Sequence, residues 1–196
     1  MNFLAHAYLS FSDPHILVGN MVSDFVKGKA QFSFSGKIQA GIRLHRMIDE
    51  FTDTHPATAE AKEFFRPAYR LYSGPITDVL YDHFLAADPN EFDEASLKRF
   101  TTATYSQLQD HAGELPPSFL GVFAHMRAND WLYHYREYEG LRRSLNGLVR
   151  RATYLKESDT AYNLFREHYV PLRSCYEAFF PDVKQFAKEA IEAMRY

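Results

Sequence analysis

A single cysteine, Cys175, in 196 residues leaves no partner for an internal disulfide and no material for a cysteine-rich zinc site, and it suits a reducing compartment. No apolar run approaches the roughly 18 residues that a spanning helix requires. The N-terminal stretch MNFLAHAYLSFSDPH has neither a basic start nor a small-residue cleavage pattern, so no signal peptide is expected and the protein is assigned to the cytoplasm. A net charge of -3 provides no global basic surface for nucleic acid, so any electrostatic docking patch must be local. Strand patterning, low-complexity tracts and internal repeats are missing as well.

What is present is helical periodicity with 46% hydrophobic and 16% aromatic residues, enough for one well-filled core. The pattern predicts a single all-α domain over 1–196 with about eight to ten helices. NFLAHAYLS makes a first short helix. A second starts at Pro14 behind Ser12 or Asp13 and runs through Asp24 to Gly28. Ser35 caps a long helix ending near Thr54, and Pro56 opens the next, which stops at Pro67. SGPITDVLYDHFLAADPN and DEASLKRFTTATYSQLQDHAG give two more, the latter ending at Gly113. From Ser158 onward the pattern predicts one long helix, kinked at Pro171 and restarted after Pro181.

Histidine and aspartate collect at four places on these helices: His6; Asp24; His45 with Asp49 and Asp53; and Asp78 with Asp82 and His83. Residues four apart on a helix differ by about 40° around the axis and lie one turn apart along it, so His45 and Asp49 face one point. Imidazole nitrogen with carboxylate oxygen suits divalent Mn, Fe or Zn, and without sulfur nothing favours zinc. Such a centre activates water for attack on phosphorus. Asp24 and Asp82 stand in apolar surroundings where a buried charge needs a partner. His6 reads equally as a hydrogen-bonded core residue. Asp78 is placed in the first turn of its helix, where the dipole favours a carboxylate whatever its function, and Asp53 is assigned to solvent.

Cations concentrate twice. LRRSLNGLVRRATYLK holds Arg142, Arg143, Arg150, Arg151 and Lys156 with no acidic residue between Leu141 and Lys156, and VKGKAQFSFSGK brings Lys27, Lys29 and Lys37 just after Asp24. Either is a solvated face or a docking surface for an acidic partner or a phosphate.

Four stretches in register carry a resemblance. MNFLAHAYLS, GNMVSDFVKGK, GIRLHRMIDEFTDTHP and RPAYRLYSGPITDVLYDHFLA resemble the bacterial acyl carrier protein phosphodiesterases, and DWLYHYREYEGLRRSLNGLVRR extends the likeness more loosely. The resemblance implies a hydrolase that removes 4'-phosphopantetheine from the serine of holo acyl carrier protein. It also implies an all-helical, HD-domain-like fold and a divalent cation, commonly Mn, with Fe, Mg or Co as other choices. Carried over position by position, it points to His6, Asp24, His45, Asp49, Asp82 and His83 as the metal set. The pair Asp82-His83 is reversed from the His-Asp order of ordinary HD enzymes. On this reading His45, Asp49, Asp82 and His83 hold the cation, and Asp24 completes the coordination or orients the attacking water. Arg43 and Arg46 either hold phosphate oxygens or face solvent. Arg150 and Arg151 are the cations expected to meet the acidic carrier protein. Two alternatives stay open on the same residues: an HD-type metal phosphohydrolase for nucleotides or other small phosphodiesters, and a helical module that binds carrier protein without turning it over.

Overall fold

Capping side chains start the two central helices of the computed structural model, which describes residues 1–194. Asp13 accepts the N–H groups of His15 and Ile16 at 3.1 and 3.2 Å ahead of α2 (Pro14–Val22), and Ser35 accepts that of Ile38 at 3.4 Å ahead of α3 (Gly36–Thr54). Each such cap is worth about 1 kcal/mol. Preceding them is α1 (Phe3–Tyr8); following them are α4 (Pro56–Glu63), α5 (Arg66–Tyr69), α6 (Ser73–Ala86), α7 (Glu94–Asp110) and α8 (Pro117–Ala128). The chain closes with α9 (Trp131–His134), α10 (Tyr138–Arg151), α11 (Asp159–Glu167) and α12 (Tyr169–Met194). No strand occurs among the described residues, so the all-α class expected from the sequence is the class found. No helix among them is long and apolar enough to cross a membrane.

The helix count exceeds the expected range because α5 and α9 are single four-residue turns. Three boundaries also differ from the sequence expectation. The second helix ends at Val22, not Gly28; tighter 3-10 turns then cover Ser23–Phe25 and Gly28–Ser33, and Gly28 adopts φ +55°, which ordinary side chains resist. Helix α7 stops at Asp110 and a 3-10 turn occupies Ala112–Glu114. The long C-terminal helix breaks at His168 instead of Pro171. Pro171 lies in the first turn of α12, where its missing N–H costs no intrahelical bond. Pro181 leaves α12 unbroken: Glu177, whose carbonyl it deprives of a donor, is on the exposed side where water substitutes.

Helices α2 and α3 form the packing centre, with α12 laid across α3 and α4, α10 against α6, and α1 bridging α2 and α6. Two glycines allow the central contact. A Cβ on Gly19 would stand 2.1 Å from the Ile38 carbonyl oxygen, and one on Gly41 would stand 2.4 Å from that of Ile16. Backbone therefore touches backbone, and the residues just beyond the contact, Asn20 on α2 and His45 on α3, are brought within hydrogen-bond reach. Around this pair the core is filled by large buried rings, among them Phe65, Tyr81, Phe119, Phe165 and Phe179.

Candidate metal centre

Asn20, the residue after the glycine contact, orients two imidazoles at once. Its backbone carbonyl accepts from His45 Nδ1 at 2.7 Å, and its side-chain oxygen faces His6 Nδ1 at 2.8 Å. The amide orientation is fixed independently, because Asn20 Nδ2 donates to the His6 carbonyl at 2.8 Å and to Ser10 Oγ at 3.1 Å. The protons of both rings are thus assigned to Nδ1, and the lone pairs to Nε2. The rings stack with centroids 3.9 Å apart and planes 15° apart, so both lone pairs emerge on one side.

What they meet is Asp49. His45 Nε2 lies 3.1 Å from Asp49 Oδ2, one helical turn on, and His6 Nε2 lies 3.2 Å from Asp49 Oδ1. His6 Nε2 is close enough to that oxygen but misaligned for a hydrogen bond, and it is buried without another partner. A lone pair held against a carboxylate oxygen is repulsive unless a proton or a cation stands between them. His6, His45 and Asp49 can offer ligand atoms that all lie within 4.8 Å of one another.

Asp24 completes one edge. The 3-10 turn after α2 swings its Oδ1 to 3.2 Å from His45 Nε2, while its side chain stays open to solvent. The electrostatics divide the two imidazoles. Burial and the neighbouring His45 charge push His6 down to about 4, with Asp49 opposing. Burial also works against a charged His45, but its contacts with Asp24 and Asp49 outweigh that and raise it to about 9. Asp49 resists its own burial through His45 and His6 and is held far below the carboxylate range. In the absence of metal, a proton on His45 supplies the positive charge that the two carboxylates demand.

The same fold has counterparts in sequence. A model of the family described as acyl carrier protein phosphodiesterase matches residues 1–183. The chain belongs to this family. Relatives named acyl carrier protein phosphodiesterase include one from Yersinia pestis, 33% identical over 189 residues, covering 96% of this chain and 98% of its own length. One from an Enterobacter species is 34% identical over 189 residues with the same coverage, and one from Escherichia coli O45:K1 is 32% identical over 188 residues, covering 95% and 97%. No solved structure matches.

The six positions carried over from the phosphodiesterase resemblance do not all converge. His6, His45, Asp49 and Asp24 come together; Asp82 and His83 do not join them. Asp82 is fully buried and receives the N–H groups of Leu4 at 2.7 Å, Ala5 at 3.1 Å and Asn2 at 3.3 Å, so it caps the start of α1. Burial lifts it to about 7 against the pull of those bonds. His83 turns about 100° away round α6. Its Nδ1 donates to the Tyr135 carbonyl at 2.7 Å, and its ring stands edge-on to Phe165 with centroids 5.2 Å apart. Its Nε2 is buried and unpartnered in that aromatic slot, where burial lowers the ring to about 4.

Other expectations resolve similarly. Asp78 sits in the second turn of α6, not the first, and pairs with the Met1 α-amino group at 3.0 Å; that group is also 3.4 Å from Asp49 Oδ1. Asp53 is solvent-exposed, with Lys62 Nζ at 2.7 Å. Arg46 is exposed and donates to Gln31 Oε1 at 3.0 Å. Arg43 is about 200° round α3 from His45, and it lines a separate cavity with Asp13 and Lys37. Arg150 and Arg151 are exposed at the end of α10. Asn20 was not legible as a site residue, although its signal was present: a lone amide inside the apolar run ILVGNMV must spend its polar atoms on buried partners.

Proposed function

We propose that this chain hydrolyses the phosphodiester joining 4'-phosphopantetheine to the serine of holo acyl carrier protein, with a divalent cation held by His6 Nε2, His45 Nε2 and Asp49. The observation that carries the metal reading is the orphaned, buried His6 Nε2 lone pair aimed beside that of His45 at one carboxylate. The nitrogen and oxygen donor set suits Mn, with Fe, Mg or Co as substitutes. When bound, the cation supplies Lewis acidity toward water and phosphoryl oxygen.

The rest is the work of the chain. Asn20 fixes both Nε2 atoms, so the imidazoles need no reorganisation. Asp24, exposed on its turn, is the carboxylate placed to orient the attacking water. Arg46, exposed and next to His45 on α3, offers its guanidinium to phosphate oxygens. Water oxygen bonds to phosphorus, the bond from phosphorus to the serine oxygen breaks, and that oxygen leaves with a proton. Arg150 and Arg151 meet the acidic surface of the carrier protein, a reaction we place in the cytoplasm.

The test is to incubate the protein with holo acyl carrier protein and Mn and follow the intact mass of the carrier. Conversion to the apo form, stopped by chelator, is the expected result. Hydrolysis of free nucleotides without action on the carrier would favour the small-phosphodiester reading, and function insensitive to chelator would favour a binding module.

A further inference from the structure

One opening in the fold that the metal centre does not use is a cavity of about 410 Å³ between the start of α1 and helices α8, α9 and α10. Its wall is apolar and aromatic, from Phe3, Val122, Trp131 and Tyr135. Its polar groups are the amides and hydroxyl of Asn2, Asn129 and Ser144, the imidazoles of His125 and His134, and the guanidinium groups of Arg143, Arg150 and Arg151. The volume lies within the range of about 300–1,000 Å³ usual for small-molecule sites.

Two structural links tie this cavity to the carboxylate centre. Asn2 lines it and donates to Tyr135 Oη at 3.0 Å, while the adjoining Met1 α-amino group is 3.4 Å from Asp49 Oδ1. On the other side α8 supplies Val122 to the wall, and its Phe119 packs edge-on against Phe25, the neighbour of Asp24, with centroids 5.1 Å apart. The cavity is thus flanked by the two elements that lead to Asp49 and Asp24. Resting on the function proposed above, we infer that this cavity receives the pantetheine arm of the substrate. An uncharged extended chain with two amides and a gem-dimethyl group matches apolar walls interrupted by amide and hydroxyl groups. A fully ionic ligand would leave Phe3, Val122 and Trp131 without a counterpart.

Gly147 makes the test possible. It lines the cavity on α10, and a Cβ there meets no atom within 4 Å, so a side chain enters the space without moving the backbone. Replacing helical glycine also gains some intrinsic helix propensity, so Gly147→Phe should fold. Trp131, the only tryptophan, lies in the wall and reports occupancy by its fluorescence. Titrating pantetheine, which lacks the phosphate, should give a saturable change in the parent protein and at least tenfold weaker binding in Gly147→Phe. Ser144→Phe, one turn earlier on the same helix face, repeats the block if the first variant is unstable. No saturable change in the parent, equal affinity in parent and blocked variants, or a response to inorganic phosphate without one to pantetheine would overturn the inference. Pantetheine binding lost on blocking, in a protein that leaves holo carrier protein intact, would uphold the cavity and reject the hydrolase reading.

Discussion

The His6 and His45 rings lie parallel, 3.9 Å apart between centroids, and a single residue, Asn20, receives a hydrogen bond from each. One buried residue thereby sets both tautomers, that of His6 through its side-chain oxygen and that of His45 through its backbone carbonyl. Asn20→Ala should weaken Mn binding by about 10- to 100-fold, the usual cost of losing a residue that orients metal ligands. Electron paramagnetic resonance of free Mn measures it, and unchanged affinity would show that the His6 ring is held without the Asn20 side chain.

The glycine contact upstream should be equally sensitive. Gly41→Ala drives a methyl into the Ile16 carbonyl, which it would approach to 2.4 Å. The expected loss is about 1–3 kcal/mol or more, read as a lower urea midpoint, accompanied by weaker Mn binding because Asn20 and His45 move apart. A variant as stable as the parent would mean that α2 and α3 separate freely.

Much of this arrangement was legible and part was not, for identifiable physical reasons. His45 and Asp49 share one helix face by spacing alone, and caps at Asp13 and Ser35 locate α2 and α3. Asp82 and His83 are not decided by pattern alone, because an acidic side chain inside an apolar helix has two solutions, a cation or the bare N–H groups of another helix. The choice depends on α1, whose Leu4 lies 78 residues away in sequence from Asp82. Pro171 misled because its effect depends on where the helix starts, and a start at Tyr169 makes it harmless. Asn20 and the paired glycines act only through a neighbouring helix, so periodicity along one helix does not expose them.

His83 offers a prediction in pH. Burial holds its ring near 4 in the fold, whereas an unfolded histidine titrates near 6.5. Between those values the unfolded chain binds the additional proton, so this contribution to stability is complete above about pH 6.5 and is lost as pH falls toward 4. The gap corresponds to on the order of 3 kcal/mol. His83→Leu should lose less stability than the parent on acidification by about that amount, while keeping its Mn affinity. Parallel stability curves, or loss of Mn binding, would contradict this placement.

At the partner surface, charge reversal of Arg150 and Arg151 to Glu should raise the Michaelis constant for holo acyl carrier protein several-fold and flatten its dependence on salt, with little change in kcat. Steady-state kinetics at two ionic strengths decide this. Identical kinetics would leave the two arginines as solvated charges.

The central claim is that hydrolysis occurs where His6 and His45 converge on Asp49, and Asp49→Ala tests it most directly. Intact-mass analysis of holo acyl carrier protein, incubated with Mn and either parent or variant, should show conversion to the apo form only with the parent, while the variant keeps its helical circular dichroism. An Asp49→Ala protein that still strips the carrier at the parent rate would contradict the account.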